Sequence, residues 1–516
     1  MRKAMNPTTS RNSQTVFTRT IPAPVGGLNS RDPLSQMKPE DALILENFIC
    51  RPTHVELRKG QADHATLPSV VGAVKSLIPY RDGTSNKLFA GTDFGIFDVT
   101  AGGTISTSER TCTNGEWISV NAANAGIRYL VMVNGVDDPV YYDGTSWHTA
   151  VMTGITDPTK LSNLTLFNFR LFFTEEGSLS FWFLGVNAVQ GAIQEFPLGN
   201  IFKKGGALQA ISSWSVDSGT GADDYAVFIT TEGEVAVYKG IDPSNADTWA
   251  LVGVYELPKP VGKKCLYRQG GELLVITQSG IVSVAKMLQS IAVDRTTSIS
   301  DKTRGELSEL ATANKDVFGW EMLRYSEEDL LIVNAPNSTR TKTVQMCMNT
   351  LTGAWSKFTA MNAYCFAELN GNLYYGSEGK VVQALTGTDD FGTNITAKAK
   401  TAFNYFGLGL KLKHIKMLRP NFYISKKLLV NFALSLNYQV NDVISQSSTS
   451  PNGISLFNHS FWNQSYWAGA DFIDDQWRTV AQNPGYCFAM LLQINDKGLF
   501  FQWNTTDFVM EAGTFM

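Results

Sequence analysis

The residues able to do chemistry are few and scattered. The five histidines are His54, His64, His148, His414 and His459. None has a second metal ligand at useful local spacing, which argues against a zinc site. The six cysteines, Cys50, Cys112, Cys265, Cys347, Cys365 and Cys487, contain no C-x-x-C pair. They read as reduced, mostly buried thiols of a protein made in a reducing cytoplasm. Asp471, Asp474 and Asp475 form an acid cluster. It lacks the oxygen-rich spacing and the glycine of a calcium loop and reads as solvated. The P-loop, H-E-x-x-H and G-x-S-x-G patterns are absent from the sequence.

Two further groups bear on function. Asp143-Gly144-Thr145-Ser146-Trp147 resembles the Asp-box turn of sialidases, in which the Asp is structural and lies away from the catalytic centre. A sialidase-like site needs clustered arginines to hold a carboxylate, and Arg128, Arg170 and Arg268 are not grouped in sequence. The second group is a basic band. Residues 391–441 contain no Asp or Glu but carry Lys398, Lys400, Lys411, Lys413, Lys416, Arg419, Lys426 and Lys427, interleaved with aromatics. Such a band is a candidate for non-specific phosphate contact. The competing and favoured reading is a strand face that pairs with an acidic neighbouring subunit or is solvated.

The elements that position these residues are strands. Charged residues are only 17% of the 516, while 44 are glycine and 11% are aromatic, which favours strands and tight turns over solvated helices. Apolar hairpins recur from about Leu77, and their turn glycines Gly95, Gly135, Gly177, Gly233 and Gly280 are spaced 40, 42, 56 and 47 apart. That is near the period of a four-stranded propeller blade. Trp117, Trp147 and Trp355 each follow a turn glycine, where a Trp starting a strand would cover the space between blades. The fold class is therefore all-β: a propeller of six or seven blades, a C-terminal β-domain and an extended N-terminal arm.

The expected divisions are a basic extended arm over 1–35, a short helix and lead-in strand over 36–64, the propeller over 65–390 and a sandwich-like domain over 391–516. Pro39, Glu40, Asp41 and Asn47 suit a helix start, first turn and end. Residues 298–315 read as a helical insertion, with Thr303 and Glu306 at capping-box spacing. The net charge of −4 is the balance of +4 in the first twenty residues and −8 in the rest. This excludes a chain that is basic throughout, and the apolar runs are too short to anchor it in a membrane.

Residues 22–60 sharpen the reading. Pro22, Pro24, Gly26, Gly27, Leu28 and Asn29 precede an Asp32-Pro33-Leu34 turn, then Ala42, Leu45 and Asn47, then Leu57, Arg58 and Gly60. This order resembles the N-terminal signature of tail nozzle, or tail tubular, proteins of short-tailed bacteriophages. The resemblance implies a non-enzymatic virion protein without cofactor, assembled in the host cytoplasm. It implies a homo-hexameric ring that continues the DNA channel below the adaptor, retains the packaged genome and conducts DNA at ejection. Implied partners are the adaptor ring, tail fibres or spikes and genomic DNA, with the 22–58 signature residues contacting the adaptor or a neighbouring subunit. The alternatives are a receptor-binding or glycan-cleaving propeller of the same tail, and a propeller scaffold outside any virus.

Overall fold

A computed structural model describes residues 15–124, 126–217, 222–289, 298–339, 343–409, 411–426, 429–439, 445–448, 472–474, 476–479 and 483–513. The chain divides into two units. One runs from Arg58 to Thr393; the other combines the stretches up to Leu57 and from Asn394. His459, Lys427, Asp471, Asp475 and the first fourteen residues of the basic arm lie outside the described residues.

The first unit is built from hairpins whose turns are set by left-handed residues, among them Gly135, Gly177, Gly233 and Gly280. Among the described residues they assemble seven blades of antiparallel hairpin strands. The first strands of the seven, in order, are Ser76–Tyr80, Ile118–Asn124, Leu161–Phe167, Leu208–Asp217, Leu266–Gln269, Glu321–Tyr325 and Cys365–Leu369. Each touches the first strand of the next sheet, and Cys365–Leu369 touches Ser76–Tyr80, so the contacts return to their start. This is a seven-bladed propeller. Its cores lie between neighbouring blades, as sheet-on-sheet packing requires. Ile78, Phe89, Leu130 and Tyr142 fill the space between the first two blades, with Trp117 buried there and Trp147 packed against them. Phe172, Phe181, Phe228 and Trp249 fill the space between the third and fourth.

Closure uses the start of the unit to finish its end. Gln61–Thr66 pairs antiparallel with Lys380–Ala384, so the last blade takes its outer strand from the first residues of the unit. Arg58, 1% exposed, donates two hydrogen bonds to Asp390, from Nη1 at 2.9 Å and from Nη2 at 2.6 Å. Gly60 fits where no side chain can, since a Cβ there would stand 1.8 Å from the Asp389 carbonyl oxygen. Tyr375 donates to Gln61 Oε1 at 2.7 Å beside this pair.

Between the fifth and sixth blades, Arg304–Asn314 forms an α-helix. Thr303 does not cap it through its side chain, which donates instead to the Ser300 carbonyl. Glu306 is held by Lys357 at 2.6 Å.

The second unit holds two sheets. One contains Phe48–Cys50, Val55–Leu57, Lys413–Ile424 and Phe501–Ala512, with Thr15–Pro22 also on Phe501–Ala512. The other contains Asp41–Glu46, Ile395–Thr401, Phe488–Asp496 and Leu429–Leu436. Rings pack between them, with Phe422 stacked on Phe432 at 6.2 Å and Phe406 tilted on Phe508 at 5.3 Å.

Two expectations are corrected. Residues 39–47 are not a helix: Asp41–Glu46 is a strand, with Gly27–Leu28 parallel on one side and Ile395–Thr401 antiparallel on the other. Ladder pairing on both sides outweighs the local helical signal, and Asn47, at φ 59°, turns the chain after it. The 36–64 segment is also not a separate piece. Its strands up to Leu57 belong to the terminal unit, and Gln61–Thr66 belongs to the propeller. The described part of the arm is extended, as Thr15–Pro22 is a strand paired with Phe501–Ala512 of its own unit.

Asp390→Ala removes the carboxylate that faces the buried Arg58 guanidinium and is expected to cost about 3–5 kcal/mol of propeller stability. The apolar double variant Arg58→Met/Asp390→Leu should lose less. Urea unfolding of the three proteins checks the order, and equal losses would count against a closure role for the pair.

Candidate functional site

The signature residues act within their own unit. Gly26 donates its N–H to the Glu40 carbonyl at 2.7 Å, and a Cβ on it would stand 2.5 Å from Asp41 Oδ1. Gly27, at φ 80°, starts the short pairing of Gly27–Leu28 with Asp41–Ala42. Asn29 is buried and its Nδ2 donates to Asp32 Oδ2 at 2.9 Å and to Asp41 Oδ2 at 2.8 Å. Its Oδ1 accepts from the N–H groups of Arg31 and Asp32. The Pro24 carbonyl accepts from the Cys50 thiol and from Gly27 N–H. Pro22 ends a strand opposite Thr505, Pro33 accepts from Gln36 N–H, and Asn47 Nδ2 donates to the Thr396 carbonyl. Of the predicted contact residues, Pro22, Pro33 and Leu34 stand at the surface. Arg58 serves the propeller closure instead.

Three of the eight cations of the basic band face carboxylates of the same chain. Lys416 faces Glu511 at 3.2 Å, Arg419 faces Asp507 at 2.7 Å and Lys426 faces Asp496 at 2.9 Å. Lys413 is fully buried, and its Nζ donates to the carbonyls of Leu408 and Lys411. Burial lowers its pKa. Lys400 is buried, Lys398 half-buried on the same strand, and Lys411 exposed.

Asp143 accepts from Thr145 and Ser146 N–H at 2.8 Å each and meets His148 Nε2 at 2.9 Å. Burial pushes its pKa up, but these bonds win and hold it well below the usual carboxylate range. It is a turn anchor. Arg170 pairs with Asp242 and Arg268 with Ser213, so those arginines serve separate partners.

The strongest candidate site lies on the propeller axis, where the first strands of the blades meet. A cavity of about 290 Å³ is lined by Ser119, Asn163, Thr165, Ser212, Lys264 and Glu321, among others. A second, of about 220 Å³, shares Lys264 and Glu321 and is bounded by residues 315–320, which follow the inserted helix. Trp320 ties that loop to the helix by donating from Nε1 to the Asn314 carbonyl at 2.9 Å. Lys264 Nζ stands 3.2 Å from Glu321 Oε2, and Glu321 Oε1 accepts from Phe366 N–H. Burial opposes the Lys264 charge, but the facing carboxylate wins and raises its pKa. Burial raises that of Glu321. The arrangement offers one satisfied ion pair, several hydroxyls and an amide, which suits binding. Among the described residues, no group of three His, Cys, Asp or Glu side chains is placed to hold a metal. Sequence reading passed over this site because Lys264 and Glu321 belong to different blades. The only local signal was a Lys263-Lys264 doublet inside an otherwise strand-like stretch.

No protein-family model matches the chain, and no curated protein matches it. Among solved structures, it is similar to a quinonprotein alcohol dehydrogenase-like protein from Bacteroides thetaiotaomicron. That match has 11% identity and a TM-score of 0.31, over 60% of this chain and 68% of that one. It is also similar to Raptor from Chaetomium thermophilum, at 14% identity and a TM-score of 0.38, over 65% of this chain. The match spans 30% of Raptor. Likenesses this distant carry no argument about activity.

Two outcomes follow from this geometry. Gly26→Ala should loosen the terminal unit and leave the propeller intact. Hydrogen exchange should then speed up in peptides from 15–57 and stay unchanged in peptides from 67–384; protection kept throughout would refute the packing role. The second concerns acid. Burial raises the pKa of Asp507, but hydrogen bonds from Thr20 and Arg419 outweigh it and leave the pKa lowered. A carboxylate with a depressed folded pKa adds stability above its unfolded value of about 3.9 and loses it as pH falls through the folded value. Asp507→Asn should therefore flatten the loss of stability below about pH 4, read by denaturant midpoints across pH.

Proposed function

We propose that the chain is a structural subunit of a short-tailed bacteriophage tail. As a nozzle protein it forms a homo-hexameric ring that continues the DNA channel below the adaptor. It helps retain the packaged genome and conducts DNA at ejection. The observation that carries this reading is the fit between the signature and one built feature. Gly26, Gly27, Asn29, Asp32 and Asp41 form a single hydrogen-bonded cradle, in the unit that combines the stretches up to Leu57 and from Asn394.

Charge gives a second line of support. Phosphate binding grows with the number of cations left to neutralise it. Lys416, Arg419 and Lys426 already face carboxylates of the same chain. A surface of that kind suits DNA that must pass rather than stay. In this reading, Lys398 and Lys411 are, among the described residues of the band, those left to meet phosphate or a neighbouring subunit.

The test is assembly. The purified chain, imaged by electron microscopy alone and after mixing with a portal–adaptor complex, is expected to add a six-fold ring to that complex. Subunits that stay single and never join it would overturn the proposal, and hydrolysis of host surface polysaccharide would favour the glycan-cleaving alternative.

A further inference from the structure

The axial cavity carries more unspent polar chemistry than the packing of seven blades requires. We propose that it binds one uncharged, polyhydroxylated molecule of monosaccharide size. This rests on the propeller alone and stands apart from the tail reading.

Size comes first. At about 290 Å³, the cavity is near the lower end of the range for small-ligand pockets, about 300–1,000 Å³. Charge comes next. Lys264 and Glu321 already answer each other at 3.2 Å, and Lys263 is turned to Glu176 at 3.0 Å. A charged ligand must either break the Lys264–Glu321 pair or enter without a counter-ion, and both are costly away from bulk water. A neutral ligand leaves the pair whole and uses its spare capacity. The ammonium has three N–H groups, and the carboxylate has lone pairs beyond those already engaged.

The remaining polar groups specify hydroxyls. Thr165 is only 8% exposed, and neither its hydroxyl nor that of Ser119 has a hydrogen-bond partner among the described residues. Each hydroxyl can donate and accept, so its natural complement is a ligand group that does both. Asn163 gives its Nδ2 to the Lys263 carbonyl at 3.0 Å, which leaves its side-chain oxygen as an acceptor. Leu266, Leu323 and Phe366 line the same space and offer apolar surface to the C–H face of a sugar ring.

The experiment is titration of the full chain with D-glucose, D-galactose and N-acetyl-D-glucosamine, read by saturation-transfer NMR and calorimetry. Glycine and sodium phosphate serve as charged comparisons. At least one sugar is expected to bind saturably with a Kd of about 1 mM or tighter, a modest affinity for a site of few hydrogen bonds. Thr165→Val and Ser119→Ala should each weaken it, Thr165→Val by about tenfold, as loss of one buried hydrogen bond implies. Lys204→Met, on the outer surface, should change nothing. If Thr165→Val fails to fold, Ser119→Ala carries the comparison. No saturable binding of any of the three sugars would overturn the proposal. So would sugar binding unchanged in the cavity variants, or glycine or phosphate binding there in place of a sugar.

Discussion

A ring of sheets is stable only if its last sheet is completed, and here the completing strand lies some three hundred residues upstream in the chain. Gln61–Thr66 must find Lys380–Ala384 before either edge is covered. An uncovered edge is a template for wrong pairing, and the entropy of closing so long a loop opposes the right one. The chain concentrates specific interactions at this seam. Arg58 and Asp390 form a buried, two-pronged pair across it. Gly60 admits the Asp389 backbone at a distance no side chain allows. Gln61 takes the Tyr375 hydroxyl and donates to the Ala360 carbonyl.

Closure has a consequence for chain layout. It places residues 58–61 of the propeller beside residues 386–391, so the unit begins and ends at one place. Both terminal stretches can then contribute strands to a single second unit, as Thr15–Pro22 and Phe501–Ala512 do. The Leu57-Arg58-x-Gly60 stretch of the signature thus has a physical meaning independent of any partner. It is where one unit ends and the seam of the other begins.

The blades were legible because a hairpin turn is a local event. Gly135, Gly177, Gly233 and Gly280 need left-handed backbone, and their spacing measured the repeat. The blade count was not legible, for two local reasons. In the sixth blade the connection between Ala335 and Val344 contains no glycine, so the ruler skips a mark. The seventh blade borrows its outer strand from upstream, so its residues do not run in sequence. Asp41–Glu46 failed for a related reason. Its helical signals are local, whereas its pairing with Ile395–Thr401 spans about three hundred and fifty residues. The axial site was illegible altogether. Lys264 and Glu321 stand 57 residues apart and meet only because the fifth and sixth blades are neighbours.

The basic band shows why a composition window misjudges charge. It spans 391–441 and contains no acid, so by itself it reads as a cationic surface. A strand, however, is electrostatically paired with whatever lies across its ladder, and Lys413–Ile424 lies beside Phe501–Ala512, which carries Asp507 and Glu511. Exposed pairs of this kind add little stability. Their larger effect is on outside partners, because a cation already facing a carboxylate gives less to a passing phosphate. The same logic holds on the propeller axis, where Lys264 is matched by Glu321 and Lys263 by Glu176. With these cations balanced inside the chain, selectivity for any axial ligand falls to hydroxyls and shape rather than net charge.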